Sequence, residues 1–501
     1  MALVNSILSW VMKKRIHQIN LFVKYPIEVQ QEVFRQLLKT ASNTEWGKKY
    51  HYSEIQSYQQ FRERVPISNY DALKPYIDRV IKGEQQVLWP SEIKWFSKSS
   101  GTTAGKSKFI PVSQEALEAC HFKAGKDMLS LYVNNYENTS LFNGKSLMLA
   151  GSKSIHQLNS GAFTGDLSAI LVEHLPFWAE FRTTPEPSVA LMEDWEEKID
   201  KIVDITLKEN VTSITGVPSW LLVVCRRVLE ASGQSDLREV WPNMELFMHG
   251  GVSFEPYRKQ FKQIIPHSDM RYLEIYNASE GFFAMQDQKE PGAMLLMLDY
   301  GIFYEFIPVD QWEEEHPIAI PLSEVEIGKQ YAIVISTNAG LWRYKIGDTV
   351  VFTSTDPYRI RISGRTKHFI NAFGEELIIE NAEKALAYAC KNCNATIKDY
   401  TAAPVYMEEG AGGHEWVIEF DQKPDNLESF ANCLDKALKE QNSDYEAKRY
   451  NDKVLAPPKI HDARKNLFYD WLKAKDKLGG QNKVPRLSNK RDFIEELLRL
   501  N

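Results

Sequence analysis

Between residues 146 and 276, the 501-residue sequence alternates short apolar runs with amphipathic helical stretches. There are four apolar runs: Ser146–Gly151, Ser213–Gly216, Glu245–Gly251 and Arg271–Tyr276. Helical patterns lie over 193–208, after Pro218 and over 256–264. Three of the four runs end in small or polar residues. Strand–helix–strand units connect by right-handed crossovers. The alternation therefore predicts a mainly parallel sheet, with a ligand site beyond the carboxyl ends of its strands.

The segments on either side predict further elements. Residues 1 to about 85 and 114–133 show helical periodicity. Residues 291–352 carry shorter strands and turns, which predict a small barrel-like subdomain. A charged, glycine-containing stretch at 362–371 is interpreted as a linker, followed by a helix over 380–389 and a hairpin through 410–413. The fold class is α/β: a large N-terminal domain (1–364) with mainly parallel sheets, and a small, mobile α+β C-terminal domain (365–501).

Composition excludes several classes of protein. The net charge of −7 provides no basic field for nucleic acid, and a hydrophobic content of 43% suits a globular protein. No apolar stretch approaches the length of a membrane span. Basic residues at 13–15 follow the first apolar run, whereas a secretory signal has its charge before that run. Five cysteines without disulfide spacing indicate a reducing compartment. We therefore expect a cytoplasmic protein with no nucleic-acid or membrane partner and no evident protein partner.

One glycine- and hydroxyl-rich stretch has the chemistry of a phosphate cradle. It runs from Ser99 to Lys108, with the sequence SSGTTAGKSK, between two apolar segments that predict the strands of a hairpin. Backbone N–H groups, hydroxyls and the two lysines together can bind phosphate oxygens. A P-loop would need four residues between its glycines, but Gly101 and Gly105 are separated by three. A polar hairpin loop without a ligand is the remaining alternative.

Three later motifs add groups that a nucleotide needs. Tyr276 ends a predicted strand and can stack on a base, while Glu280, four residues on, can hold Mg²⁺. Asp348 follows a glycine turn and can accept ribose hydroxyls. Lys483 lies in a glycine-containing loop near the C-terminus and can enter a cleft between domains. The alternatives are a core tyrosine with a solvated glutamate, a turn aspartate, and a surface lysine.

The order of these motifs resembles that of the adenylate-forming superfamily of acyl-CoA synthetases, adenylation domains and luciferases. Within it, the chain resembles above all the Gretchen Hagen family of acyl acid–amido synthetases. The resemblance covers essentially the whole chain. It includes Val65–Tyr70, Tyr76-Ile77, Gly83-Glu84, Ser336–Leu341 and Gln481–Arg486.

The resemblance implies a role for each motif. Ser99, Ser100, Gly101, Thr102, Thr103 and Gly105 would wrap the phosphates of ATP. Gly250, Gly251 and Tyr276 would hold adenine, Ser279 the α-phosphate, Glu280 the Mg²⁺ ion, and Asp348 with Arg365 the ribose. Lys483 would bridge the carboxylate and the α-phosphate, so that Lys483 and Glu280 are the expected catalytic residues. Thr366-Lys367 stand where relatives often carry an acidic residue or a single lysine, which leaves the pivot residue open.

The activity that the resemblance implies is a two-step ligation. A carboxylic acid is adenylated by ATP with release of pyrophosphate, and the acyl group then passes to the amine of an amino acid. The alternatives are an acyl-CoA ligase with a thiol acceptor, a P-loop-like kinase or NTPase, and a non-catalytic nucleotide-binding protein. Phe163, Trp178 and Trp220 are candidates for an apolar acyl pocket, with core packing as their alternative.

Overall fold

The architecture is that of a computed structural model. It describes residues 2–100, 107–150, 155–192, 194–252, 254, 257–290, 292–312, 314, 316–365, 369–407, 411–475 and 484–501. The proposed residues Gly101, Thr102, Thr103, Gly105 and Lys483 lie outside these ranges, as do the side chains of Ser100, Trp178 and Arg365.

The N-terminal segment is helical, as its periodicity predicted. Helix α2 places an apolar stripe that includes Val33, Phe34 and Leu37 in the core. Side chains cap the later helices: Ser57 accepts from the N–H of Gln60 at the start of α4, and this satisfies a donor that the helix leaves free. The helices are α1 (Ala2–Lys24), α2 (Pro26–Ala41), α3 (Glu45–Lys49), α4 (Tyr58–Arg64) and α5 (Tyr70–Ile81).

The glycine-rich stretch is flanked by an antiparallel pair of strands, as predicted. Strand β1 (Trp95–Ser100) pairs with β2 (Ser107–Val112), with Ser99 opposite Lys108. After β2, one helical stretch runs through α6 (Gln114–Ala116), a π-helical turn over Leu117–Phe122, and α7 (Lys123–Asn135). The oxygen of Ser113 caps this stretch by accepting from the N–H of Ala116.

The predicted alternation is confirmed by the elements that follow. They are β3 (Lys145–Met148), β4 (His156–Gln157), β5 (Phe163–Gly165), α8 (Leu167–Glu173), α9 (Phe177–Glu180), β6 (Thr183–Thr184), α10 (Pro187–Ala190), α11 (Trp195–Thr206), β7 (Val211–Gly216), α12 (Pro218–Ser232), α13 (Leu237–Val240), β8 (Leu246–His249), α14 (Arg258–Ile264) and β9 (Arg271–Ala278). Strands β6, β3, β7, β8 and β9 are neighbours in that order and parallel. Strands β4 and β5 extend the β1–β2 hairpin into a four-stranded sheet.

The remaining strands of the large N-terminal part are antiparallel. They are β10 (Gly281–Met285), β11 (Met294–Leu296), β12 (Ile302–Pro308), β13 (Ile320–Pro321), β14 (Gln330–Thr337), β15 (Tyr344–Thr355) and β16 (Tyr358–Arg365). We expected a small barrel-like subdomain here. Instead, β10 pairs with β9, so these strands continue the parallel sheet into one 12-stranded sheet. The start of the predicted linker also needs correction, because 362–365 belong to β16 and pair with β15.

We call residues 369–501 the C-terminal lobe. Its elements are β17 (Phe369–Ile370), β18 (Leu377–Ile378), α15 (Ile379–Asn392), β19 (Thr396–Val405), β20 (Gly413–Gln422), α16 (Leu427–Gln441), α17 (Ser443–Lys448), β21 (Lys459–Ala463), α18 (Leu467–Ala474) and α19 (Asp492–Leu500). Strands β19 and β20 form the predicted hairpin. The carboxylate of Glu415 in β20 binds Lys459, His461 and Arg491. These contacts fasten β21 and the segment before α19 to the sheet.

The lobe packs on the parallel half of the large sheet through a continuous apolar cluster. The cluster joins Leu147 and Phe261 of the large part to Phe373 and Trp416 of the lobe. The hydroxyl of Tyr257 also donates to the carbonyl of Ala372 over 2.6 Å. Within the described residues, no helix has the length and apolar character needed to cross a bilayer.

Candidate functional site

Two hydrogen bonds bring three of the sequence motifs to one place. The hydroxyl of Tyr276 donates to Oδ2 of Asp348 over 2.7 Å, joining the end of β9 to the glycine turn within β15. The Oγ atoms of Ser97 and Ser279 are 3.0 Å apart, which joins the strand before the glycine-rich stretch to the turn between β9 and β10. Asp348 and Tyr276 are 72 residues apart in the chain, and Ser97 and Ser279 are 182 apart. The site therefore depends on the tertiary fold.

The Ser279-Glu280 turn lies at the carboxyl edge of the parallel strands. Ala278 and Gly281 face each other across this two-residue connection, and both turn side chains are half-buried. Arg365 is the strand partner of Asp348 in the β15–β16 pair. The strand pairing and the Tyr276–Asp348 hydrogen bond thus place Ser279, Glu280, Tyr276, Asp348 and the backbone of Arg365 in one neighbourhood.

Tyr276 also has a structural role. Its side chain is 5% exposed, and its ring centroid lies 4.9 Å from that of Phe283. The tyrosine therefore belongs to the apolar core and presents its hydroxyl to a buried carboxylate. The core packing is therefore observed, and base stacking by Tyr276 stays a prediction.

The two glycines after β8 are explained by close approach of the neighbouring strand. A Cβ on Gly250 would lie 2.6 Å from the carbonyl oxygen of Ile275, closer than such atoms approach. Gly251 has φ of +81°, a conformation that side chains disfavour. The carbonyl of Gly251 accepts from Nδ2 of Asn371 in the C-terminal lobe over 3.2 Å. This proposed adenine loop is therefore in contact with the lobe.

His249, immediately before these glycines, is buried and neutral. Its ring stacks on Phe254 with centroids 4.1 Å apart. Burial, and then the charge of Arg258, lower the pKa of His249 to about 3. A neutral imidazole beside the loop adds no charge to the site at neutral pH.

The candidate acyl-pocket residues have separate neighbours. The ring of Phe163 stacks on Trp95 with centroids 4.6 Å apart and planes 18° apart. Trp220, in the first turn of α12, lies under the ammonium of Lys448, which is 4.1 Å from its ring centroid. Trp178 lies in α9, and its side chain is outside the described residues. The hydrogen bonds above do not join Phe163 or Trp220 to the nucleotide motifs.

Sequence reasoning missed two residues of this neighbourhood. Ser97 follows Trp95-Phe96 and precedes Lys98 in β1, and nothing in that pattern identifies its partner, Ser279. Asn371 fell in the predicted linker, where a polar side chain carries no distinguishing signal. Only the tertiary contacts assign them to the site.

Comparison with known proteins gives the family. Profiles of the GH3 family match three segments: the N-terminal domain over residues 15–270, the central domain over 295–365 and the C-terminal domain over 380–492. The chain belongs to the GH3 family. Our expectation of the Gretchen Hagen family, of which GH3 is the abbreviation, is confirmed.

Relatives of this GH3 family chain extend over nearly its whole length. It is 23% identical to an indole-3-acetic acid-amido synthetase of Arabidopsis thaliana, covering 91% of this chain and 89% of the relative. It is 24% identical to a jasmonoyl–L-amino acid synthetase of Oryza sativa subsp. japonica, covering 95% of each. These similarities are to named amido synthetases, which are ligases.

Solved structures confirm the α/β fold class. The chain is similar to the GH3.15 acyl acid amido synthetase, with a TM-score of 0.63 at 18% identity, covering 97% of this chain and 95% of the other. It is also similar to a 2-hydroxyisobutyryl-CoA ligase in its thioesterification state. That match has a TM-score of 0.56 at 14% identity and covers 94% of this chain and 91% of the ligase.

Proposed function

We propose that this chain is an ATP-dependent acyl acid–amido synthetase. It adenylates a carboxylic acid with release of pyrophosphate and then transfers the acyl group to the amine of an amino acid. This is the activity expected from the sequence, and it agrees with the names of the full-length relatives. The observation that carries the proposal is the pair of contacts Tyr276–Asp348 and Ser97–Ser279, because they bring together two proposed nucleotide-binding motifs and the strand that leads into a third.

The chemistry explains why such a site needs ATP. A carboxylate is a poor electrophile because its leaving group would be oxide. Attack by the carboxylate on the α-phosphorus produces an acyl-adenylate, whose leaving group is AMP. The protein must hold the two reactants in line and stabilise the charge that grows on the phosphate oxygens.

The proposed roles are those that the family resemblance implies. Asp348 accepts the ribose hydroxyls, with Tyr276 orienting its carboxylate, and Gly250-Gly251 hold adenine. Ser279 contacts the α-phosphate. The cradle from Ser99 to Gly105 and the bridging ammonium of Lys483 complete the phosphate site; of these, only Ser99 has a described side chain.

The described residues suit an Mg²⁺ ion that shares its ligands with phosphate oxygens better than a metal ion bound only by protein side chains. Among them, no group of three His, Cys, Asp or Glu side chains could hold an ion. Mg²⁺ commonly uses one or two carboxylates and completes its shell with phosphate oxygens and waters. The single carboxylate of Glu280, at the turn beside Ser279, suits that arrangement. When bound, the ion would neutralise charge on the phosphates.

We further propose that residues 365–501 form a lid that rotates between the two half-reactions. The Asn371–Gly251 contact supports this, because it joins the start of the lobe to the proposed adenine loop. Crystals with ATP and with an acyl-AMP analogue should differ in the orientation of the lobe. Identical orientations in both would contradict the rotation.

The activity is tested with purified protein, ATP, Mg²⁺ and a panel of aryl and alkyl carboxylic acids. We expect pyrophosphate release, hydroxamate when hydroxylamine is present, and an amide when an amino acid is supplied without CoA. Strict dependence on CoA would indicate the acyl-CoA ligase, and ADP as product would indicate a kinase or NTPase. ATP binding without pyrophosphate exchange would indicate a non-catalytic protein.

A second test concerns the proposed lysine. Lys483→Ala should greatly slow adenylation and leave ATP affinity nearly unchanged, since the lysine stabilises charge that develops in the transition state. Adenylation at the normal rate would remove Lys483 from this role. Lys490→Ala, a change at an exposed lysine of the same segment, is the matched control.

A further inference from the structure

Helix α2 forms one wall of a cavity that lies outside the proposed nucleotide site. The cavity has a volume of about 740 Å³. Its other walls are the turn Tyr52–Glu54, the start of α4, β12 and the segment 321–323. Sites for small molecules commonly have volumes of about 300–1,000 Å³. None of the described residues that line this cavity belongs to a nucleotide motif.

Two adjacent rows of side chains face the cavity from α2, because residues four apart lie on the same side of a helix. The rows are Gln30, Phe34, Leu38 and Ser42, and Ile27, Gln31, Arg35 and Lys39. The first row supplies the apolar floor, where the ring centroid of Phe34 lies 4.8 Å from that of Phe303 in β12. The second row ends in Arg35 and Lys39, which are exposed at the mouth.

Two polar side chains hold the walls in place. Nε2 of Gln30 donates to two backbone carbonyls within residues 298–304, at 2.8 and 2.9 Å, and its Oε1 accepts from a backbone N–H there over 3.0 Å. The hydroxyl of Tyr58 lies 2.9 Å from Oε1 of Glu305 and 2.8 Å from the carbonyl oxygen of Ala319. The cavity is therefore formed without a ligand.

The interior suits an apolar ligand body. None of the described side chains that line the cavity has a buried nitrogen or oxygen without a hydrogen bond. A polar group placed deep inside would lose its water and find no free partner, which is costly. Phe34, Leu38, Phe303 and Leu322 are all buried apolar side chains of this lining.

The charge at the mouth is positive. Arg35 and Lys39 line the cavity, whereas no Asp or Glu does so among the described residues. Oε2 of Glu32 lies 3.6 Å from Arg35, but these side chains are 58% and 68% exposed, so their pairing is weak. Within the described parts of the chain, the ammonium of Lys39 has no ion-pair partner. The mouth therefore complements an anionic group.

We infer that this cavity binds a carboxylic acid with an apolar body. The apolar part lies against Phe34 and Phe303, and the carboxylate lies at the mouth beside Arg35 and Lys39. The inference goes beyond the proposed function and does not rest on it, because the cavity shares no residue with the nucleotide motifs. A free acyl acid and an N-acyl amino acid both have this chemistry, an apolar chain with one carboxylate.

The test is a displacement assay without ATP. The reporter is 8-anilinonaphthalene-1-sulfonate, which has an apolar body and one anionic group and fluoresces when it is bound. Octanoate should displace it at a concentration about tenfold lower than octanamide, since the amide lacks the charge that pairs with two partly exposed cations. N-octanoylglycine distinguishes the two sources: stronger displacement than by octanoate indicates an acyl amino acid, and weaker displacement indicates the free acid.

Two variants assign the binding to this cavity. Arg35→Met/Lys39→Met should reduce the preference for octanoate over octanamide to within about twofold and leave displacement by octanamide unchanged. Lys24→Met/Arg64→Met, which changes exposed cations of α1 and α4 outside the cavity, should keep the tenfold preference. Ser53→Trp places an indole at the mouth from an exposed position and should remove the fluorescence that octanoate displaces.

A tenfold preference that persists in Arg35→Met/Lys39→Met would overturn the inference, as would unchanged displacement in Ser53→Trp. Equal displacement by octanoate and octanamide in the unmodified protein would also overturn it. The proposed function fails by a different result, the absence of pyrophosphate release with every acid, so the two failures are distinguishable.

Discussion

Removing the guanidinium of Arg343 should destabilise the whole protein. Arg343 follows Trp342 in the segment that ends at Asp348, but it points into the core. Its Nε donates to both oxygens of Glu305 at 3.1 and 3.0 Å, its Nη2 donates to Oε1 at 2.8 Å, and the two side chains are 3% and 0% exposed. Its Nη1 also donates to the carbonyls of Arg62 and Val65 at 3.1 and 2.6 Å. It therefore ties β12 and the residue before β15 to the end of α4 and to Val65, which follows it.

The magnitude follows from these contacts. Removing one member of a buried ion pair costs about 3–5 kcal/mol, because the other charge remains enclosed. The buried carbonyl of Val65, which loses its donor, adds about 1 kcal/mol. Arg343→Met should therefore lower the free energy of unfolding by about 5 kcal/mol or more. That is a large part of the stability of about 5–15 kcal/mol that folded proteins have.

The assay is urea unfolding followed by tryptophan fluorescence. The double variant Arg343→Met/Glu305→Met should be more stable than Arg343→Met alone, because it removes the unpaired carboxylate; Tyr58 keeps its hydrogen bond to the carbonyl of Ala319. Arg64→Met is the control, since Arg64 and Glu54 form an exposed pair, worth less than about 1 kcal/mol. If Arg343→Met costs no more than Arg64→Met, or if the double variant is the least stable, the reasoning is refuted.

Three further predictions concern the site and the lobe. Tyr276→Phe removes the hydrogen bond to Asp348 and should raise the KM for ATP up to about tenfold, as should Asp348→Ala, in a pyrophosphate-release assay; an unchanged KM would separate the pair from the ribose. Gly250→Ala forces a Cβ to 2.6 Å from a carbonyl of β9 and should lower Tm and abolish stabilisation by ATP, whereas Gly125→Ala, with open space around it, should do neither. Burial alone would raise the pKa of Glu415, but hydrogen bonds from Arg491, Lys459 and His461 lower it to about 2 from 4.5. The stability that Glu415 contributes is therefore present above pH 4.5 and is lost as pH falls through 2. In acid unfolding, Glu415→Gln should therefore be less stable at neutral pH and show a flatter dependence over that range.

The parallel half of the sheet could be predicted because its signal is local. Strands β3, β7, β8 and β9 each coincide with a short apolar run, and the helices between them have their own periodicity. The continuation into the antiparallel half could not be predicted, because it depends on β9 accepting a second partner, β10, at its other edge. The sequence pattern of short strands and turns is the same whether the strands form a separate barrel or extend a larger sheet.

The site shows the same division between local and distant information. Tyr276, Ser279 and Asp348 could be singled out because each stands at the end of a strand or after a glycine turn. Arg343 lies in the same segment as Asp348, yet its partner Glu305 is 38 residues away and carries no signal in the sequence.

Strand β9 is parallel to one neighbour and antiparallel to the other, and this has a consequence for how the protein folds. The pairing with β10 closes across two residues and can form early, whereas the pairing with β8 must wait for the intervening helix α14 to dock. Both pairings are needed before Tyr276, Ser279 and the glycines after β8 stand together. A nascent chain released after β9 would have all the parallel strands of the large sheet and still lack a nucleotide site.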